Sequence, residues 1–515
     1  MSIKSLQQGL TTALLIFAFA SVATAQQVNS EVRGSVTDEN GAPISDAAVV
    51  ITHVPSGSRR ESTTSAGGGF FQTGLRVGGP YTITVSADGY RDALYEEVNL
   101  APGSQRPFEI TLETISAEIE ELIVTAEAAP IQDLDNAIGS AFAADDIINM
   151  PAADRDVIRT LLRDPFAQSN GDTGNLSVAG INPRFNGLAI DGSLQQDDFG
   201  LGESTYATSR SPVNLDAVES ASVVAAEYDV GTSNFTGGLV NLTIKSGTNE
   251  FSGNAYYDTV QDDYIGDKFD GDQEFDPGSV DDKEYGFTLG GPIIKDRLFF
   301  FVSYDEFESA QQEDFRFDDQ NDGIEDGFFE ALRQVILDST GYDPGSRPGT
   351  ASTPQTSERA LAKIDWNITD RHRASFTYQD TQEQSTFGVN NTAFEGSWYD
   401  APVDLKAYTV QLYSDWNDAL STTFRANLKE FERGQNCRAG SGVGMIDIDD
   451  LTPDDLVGTP LEGLLTGDAV DIDAGCDRFR HANEYNDERL QVLAKADYFV
   501  GRHVITGGFE YEDFS

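Results

Sequence analysis

The chain has 515 residues, with 34 Lys and Arg against 86 Asp and Glu, for a formal net charge of -52. At roughly 150 residues per domain that length calls for three or more folded units. So negative a surface would repel a phosphate backbone and lacks the clustered bases that hold a protein on anionic lipid, so no nucleic-acid partner is expected. The first 25 residues (1–25) read as a signal peptide: Lys4 gives a positive start, Leu10 to Ala20 is mostly apolar, and Ala23-Thr24-Ala25 is a small-x-small cleavage site. That apolar run is shorter than the ~20 residues of a spanning helix. No other stretch reaches that length, so a further membrane passage would have to be a β-barrel, the other architecture that satisfies every backbone group in lipid.

Residues 26–115 alternate short β-rich runs with turn signals. The runs are 31–36, 49–53, 70–75, 81–86 and 109–112; Asn40-Gly41, Gly78-Gly79-Pro80 and Asp88-Gly89 lie between them. Short strands at this spacing predict an all-β sandwich. Gly34-Ser35-Val36-Thr37-Asp38, Gly41-Ala42-Pro43, Ala47-Ala48-Val49 and Tyr81 to Tyr90 together resemble the carboxypeptidase regulatory-like domain. The resemblance is to a non-catalytic appendage and implies a spacer or carbohydrate-binding module of transthyretin-like fold.

Residues 116–130 form a linker carrying a short apolar run bounded by acids, Glu121, Leu122, Ile123, Val124, Thr125 and Ala126. An extended segment of this kind can add a strand to an exposed sheet edge. Its place just ahead of the next region resembles a TonB box, which implies a TonB-type energy-coupling protein as partner; the plainer alternative is a last sandwich strand running into a linker.

Residues 131–248 carry three stretches in the order found in the plug of TonB-dependent receptors: Asn186 to Gly192, Leu215 to Val224, and Gly237 to Gly253. The resemblance implies an α+β plug domain, with Asp191, Gly192, Gly237, Gly238 and Asn241 as its motif residues. Read locally, Ala189 to Asp191 is a strand running into an Asp-Gly turn, and the Gly237-Gly238 pair allows close backbone approach before the following strand.

From 249 to 515 strands are expected near 251–260, 283–291, 298–309, 358–368, 372–383, 403–416, 421–433, 487–500 and 502–514. Tight connections alternate with long ones rich in Asp, Glu and Gly, as short turns and long loops do in an outer-membrane barrel. Ala374, Phe376 and Tyr378 alternate with Arg373, Ser375, Thr377 and Gln379, which suits a lipid-facing wall around a wet lumen. Tyr408, Val410, Leu412 and Trp416 place aromatics towards both ends of one face, as interfacial girdles would. Gly290-Gly291-Pro292-Ile293-Ile294-Lys295-Asp296-Arg297 and the following Leu298 to Tyr304 resemble the Oar-like branch of these receptors. Kinship with that branch implies a 22-stranded barrel filled by the plug, so these nine strands are expected to be the first part of a transmembrane antiparallel β-barrel in a longer parent. The fold class is accordingly mainly β: sandwich, plug and partial barrel.

Little in the sequence suggests an enzyme. His481 and Glu484 have an H-x-x-E spacing without a third ligand, and no phosphate loop is present. Cys437 and Cys476, the two cysteines of an exported chain, predict a disulfide. Asp318, Asp319, Asn321, Asp322 and Asp326 crowd oxygen ligands around Gly323, as calcium loops do. Gln320 and Phe329 depart from the EF-hand pattern, and a solvated acidic loop is the alternative. Calcium in an extracellular loop is therefore the one cofactor to consider. The resemblance places the protein in the outer membrane of a Gram-negative cell, among outer-membrane lipids, with sandwich and turns periplasmic and long loops outside. It implies import of an unidentified extracellular ligand such as a siderophore, oligosaccharide or peptide; a non-transporting surface carbohydrate-binding protein or adhesin is the alternative.

Overall fold

The computed structural model describes residues 29–103, 107–115, 137–150, 155–170, 175–199, 205–228, 232, 235–264, 268–269, 273–274, 279–314, 323–347, 350–440, 442–480, 483–501 and 503–515. The signal peptide, the Glu121–Ala126 segment and, of the candidate calcium ligands, Asp318, Asp319, Asn321 and Asp322 lie outside them. So does His481.

The first unit has strands β1 (Ser30–Asp38), β2 (Ala48–His53), β3 (Ser58–Thr63), β4 (Gly69–Leu75), β5 (Gly78–Ser86), β6 (Ala93–Leu100) and β7 (Phe108–Leu112). They make two sheets, β4-β1-β7 and β3-β2-β5-β6, with Val32, Val36, Ile51, Phe70, Ile83, Val85 and Ile110 packed between them. Burying alternate apolar side chains from two inner faces is what holds such a sandwich together. β3 and β6 were not among the expected strands. β3 reads Ser-Arg-Arg-Glu-Ser-Thr and shows no apolar alternation; its buried positions are Arg60 and Ser62. In β6 the pairing with β5 slips twice and Glu97 takes φ +56, which breaks the period.

The second unit has β8 (Ala137–Ala143), β9 (Ala167–Asn170), β10 (Asn175–Val178), β11 (Gly187–Ile190), β12 (Ser193–Leu194), β13 (Val218–Glu227) and β14 (Leu239–Ile244). Its five-stranded sheet runs β12-β11-β14-β13-β8, with β11 and β14 parallel. Short helices at Ala144–Ile148 and Ile158–Leu161 lay Ile147, Ile158 and Leu161 on its core, beside Leu188, Ile190, Val223 and Leu242.

The third unit begins with β15 (Ser252–Gln261), a small hairpin of β16 (Lys268–Phe269) and β17 (Gln273–Glu274), then β18 (Ser279–Ile294), β19 (Leu298–Asp314), β20 (Thr350–Thr369), β21 (His372–Phe387), β22 (Tyr399–Asn417) and β23 (Leu420–Cys437). A second hairpin of β24 (Asp447–Leu451) and β25 (Val470–Asp473) precedes β26 (Asn483–Val500) and β27 (His503–Phe514). One antiparallel wall of nine strands results, in the order β15-β18-β19-β20-β21-β22-β23-β26-β27; β15 and β27 do not pair with each other among the described residues. Its outer face carries exposed Phe376, Val410, Leu412, Trp366 and Trp416, and the Tyr257–Tyr285 and Tyr378–Tyr408 ring pairs have centroids 6.3 and 5.2 Å apart.

Several strands overrun their expected limits: β19 runs to Asp314, β20 starts at Thr350 and β23 ends at Cys437. Above the tyrosines the outward positions become Glu306, Glu358, Asp404 and Glu432, which share one row of the ladder through Gln382. The hydrogen-bonded ladder continues where the apolar period stops. On the inner face Arg373, Ser375, Thr377 and Gln379 are buried. The charged alternation by itself suited a wet lumen; the plug fills the space, as the resemblance implied.

At the loop end the long connections are more than loops. A helix at Phe328–Thr340 turns Phe328, Leu332 and Ile336, spaced four apart, onto Phe394, Leu456, Leu461, Leu465 and Ile472. Cys437 at the end of β23 is disulfide-bonded to Cys476 just after β25, with Cα atoms 5.8 Å apart. The bond ties this small cap to the wall. Asp326, the described member of the candidate calcium loop, is exposed just before the helix.

Candidate functional site: the plug and its seat in the wall

Strand β11 turns back into β12 through Asp191 and Gly192, both with positive φ (+46 and +76). A two-residue hairpin needs such conformations, and Asp-Gly adopts them at low cost. The turn drives Asp191 into the wall. Its carboxylate accepts the Ile244 amide (3.0 Å) and the Thr377 hydroxyl (3.0 Å) and pairs with Lys363 Nζ (2.9 Å). The two turn carbonyls accept the side-chain amides of Gln411 (2.6 Å) and Asn427 (3.0 Å). Four neighbouring wall strands thus hold one plug turn.

Gly237 and Gly238 serve the plug's interior. The Gly237 amide donates to Phe185 O, the Gly238 amide to Asn186 Oδ1, and Gly238 O accepts the Gly187 amide, each at 2.8 Å. A Cβ on Gly238 would sit 2.4 Å from Val178 side-chain atoms, so only glycine fits this approach. Asn186 stitches three segments, donating also to Leu176 O (2.7 Å) and Thr205 Oγ1 (3.1 Å). Asn241 lies mid-sheet between Ala189 and Ser222, away from the wall contact made by Asp191. The five motif residues therefore divide into a wall anchor and a packing group.

Higher in the wall the plug is held by charges that sequence reasoning did not single out. Arg359 of β20 pairs with Asp305, with Glu284 (2.8 Å) and with the plug carbonyl of Ser211 (3.0 Å). Arg210 of the plug reaches the same Glu284 at 2.8 Å, and Glu383 accepts the amide and hydroxyl of Ser209 at 2.6 and 2.8 Å. Asp198 pairs with Lys429 (2.6 Å) and with Arg489, and Lys429 also meets Asp487 (3.2 Å). The available signal was a charge at every second residue of a strand, which cannot say whether water or protein faces it.

The plug's apolar core is largely its own; Phe301 and Leu361 are the wall residues in it. Plug and wall also touch through Ala207 against Val403, Leu405 and Phe431 and through Phe199 against Tyr485; the other plug–wall contacts named above are polar. Water can replace hydrogen bonds and ion pairs as they break, whereas a large apolar interface would have no such substitute.

The sandwich abuts the turn end of the wall. There His53 is buried against Tyr81 (ring centroids 4.8 Å apart), and its Nδ1 lies 2.7 Å from Ser56 Oγ. Loss of water, and then the charges of Arg76 and Arg373 against an opposing Asp365, push its pKa from 6.5 down to about 3. A base whose pKa falls on burial resists folding when protonated: its penalty is absent above the free value and grows as pH drops from 6.5 towards 3. Thermal melting at graded pH is expected to show the sandwich loosening between about pH 7 and pH 4. His53→Gln should flatten that slope; an unchanged slope would remove His53 as its source.

Comparison with known proteins agrees with this architecture. Residues 31–113 match the carboxypeptidase regulatory-like domain, and residues 243–346 match an outer membrane β-barrel domain. The solved structure of the outer membrane transporter YddB from Escherichia coli superposes with TM-score 0.50 at 12% identity, covering 73% of this chain and 47% of that one. The ferric enterobactin receptor of Pseudomonas aeruginosa gives 0.47 at 17% identity, covering 73% and 49%. The chain is an outer-membrane β-barrel protein of a Gram-negative cell, with a plug and an N-terminal carboxypeptidase regulatory-like domain. It is similar to the TonB-dependent transporter Oar of Myxococcus xanthus, 22% identical over 559 residues that cover 96% of this chain and 50% of that protein. The chain thus spans about half the length of the curated relative it matches.

Proposed function

We propose that the protein imports a scarce or bulky ligand across the outer membrane, without catalysis, using force supplied by a TonB-type partner. The ligand is taken up at the loop end; the sandwich and tight turns face the periplasm. Force reaches the plug through Glu121–Ala126, which lies in the strap between β7 and β8. The observation that carries this reading is the polar seat: a plug fixed by Asp191–Lys363, Arg210–Glu284 and Asp198–Lys429 can move without exposing a large apolar face. Siderophores, oligosaccharides and peptides are the candidate ligands.

The test is uptake of a labelled ferric catecholate, a maltooligosaccharide and a mixed peptide digest by a deletion strain and its complemented parent. Energy-dependent uptake restored by the gene supports the reading. Binding of a ligand with no accumulation inside would favour a surface adhesin instead.

A further inference from the structure

Strand β4 is an edge strand of the sandwich, in the order β4-β1-β7, yet all seven of its residues are buried. An edge strand of a free sandwich exposes alternate side chains and an unpaired backbone rim. Here the turn end of the wall covers it. Gln72 of β4 donates to Asp415 (2.8 Å), Phe71 stacks on Phe499 with centroids 6.0 Å apart, and Gly74 lies against Tyr413. Around this strand Thr63 donates to Asp418 (2.9 Å), Ser65 to Gly501 O (2.9 Å), and Pro55 O accepts the Asn249 amide (2.8 Å). The contacts span successive tight turns of the wall.

Two arginines of the sandwich enter further and are almost wholly buried. Arg60 donates to Asp370 O and lies 3.7 Å from Asp415. Arg76 extends to Asn367 (3.5 Å) and Asp365 (3.8 Å) and over the Phe299 ring (5.3 Å). Its Nε and Nη1 have no partner among the described residues. Arg76 borders a cavity of about 100 Å³ where sandwich, plug and wall meet, lined also by His53, Glu219, Lys363, Asp365 and Arg373. Lys363 there is the cation that holds Asp191 of the plug. The plug's Glu219 touches the sandwich directly at Gly78. A plug moving towards the turn end would meet the sandwich.

We infer that the sandwich is a second closure of the lumen, in series with the plug, latched to the wall by Arg60 and Arg76, and that it must be drawn aside before the plug can move. The inference rests on the transport reading for its purpose, but not for its geometry. The chain passes from β7, an edge of the sandwich sheet, directly to β8, an edge of the plug sheet, so a pull applied between them loads edge strands of both. The seat is built from ion pairs, hydrogen bonds and one ring stack, so it can be released and remade.

The test needs no ligand. Thr63→Cys/Asp418→Cys joins two exposed, hydrogen-bonded side chains across the seat, and Arg60→Ala/Arg76→Ala removes the latch. Each protein is purified from outer membranes, and its KCl current is recorded in planar bilayers as urea loosens the plug. The cross-link should form on export and hold the current about tenfold below that of either single-cysteine protein at the same urea concentration, until reductant is added. The arginine variant should conduct at lower urea than the parent. Reductant on the parent controls for the Cys437–Cys476 bond. Failure of the cross-link to form overturns the seat. A cross-linked protein that opens like its single-cysteine controls overturns the second closure. A parent that imports none of the labelled probes contradicts the transport reading and leaves these current measurements to decide the closure.

Discussion

Arg359→Ala is expected to destabilise the seated plug by roughly 3–5 kcal/mol, the usual cost of removing one partner from a buried ion pair. Arg359 is the shared cation of Asp305 and Glu284, and all three side chains are at most 6% exposed. Without it two carboxylates stay buried close together, with Arg210 paired to Glu284, and Ser211 O loses the Arg359 donor. Both the residual charge and the lost bond act in the same direction. The urea midpoint for plug release, read by protease sensitivity of the plug in detergent, measures the loss. Adding Asp305→Asn to Arg359→Ala should restore part of it, because the neutral amide no longer carries an unpaired charge. A single variant with the parental midpoint would show that this cluster does not hold the plug.

The second large effect is expected from Val124→Pro. If Glu121–Ala126 adds a strand to the energy-coupling partner, proline removes a ladder donor and fixes φ, leaving a partner carbonyl unpaired at a cost of about 1–3 kcal/mol, or roughly five- to a hundredfold in that contact. Uptake should fall by about that factor while ligand binding at the loop end stays within about twofold, since the substitution lies on the strap between β7 and β8. Uptake and equilibrium binding measured on the same cells separate the two. Unchanged uptake would place the coupling segment elsewhere in the chain, and parallel loss of binding and uptake would point to misfolding.

Much of this was legible in the residues because it is local. Period-2 alternation in Ala374–Tyr378 and Tyr408–Leu412, the Asp191-Gly192 turn and the Gly237-Gly238 pair each encode a backbone conformation or a face within a few residues. Such signals suffice for strands, turns and the order of the units. β3 escaped because it has no apolar alternation and its Arg60 is buried by the wall more than three hundred residues away in sequence, through Asp370 and Asp415. The helix at Phe328–Thr340 escaped because its apolar stripe finds Phe394 and Ile472 in two other connections.

The amino-acid sequence by itself determined the alternation of the wall, the positions of its tight turns and the two glycine-bearing plug motifs, since each follows from the conformational preferences of neighbouring residues. Only the tertiary structure decided what the inward charges do. Arg359, Lys363, Lys429 and Arg489 would suit a watered channel just as well; it is the plug, carrying Asp191, Asp198 and Arg210 to meet the wall, that turns them into its seat. The same holds for the sandwich, whose edge strand β4 is closed by the turn end of the wall. A charge's partner depends on distance in space, and the register of nine paired strands sets that distance.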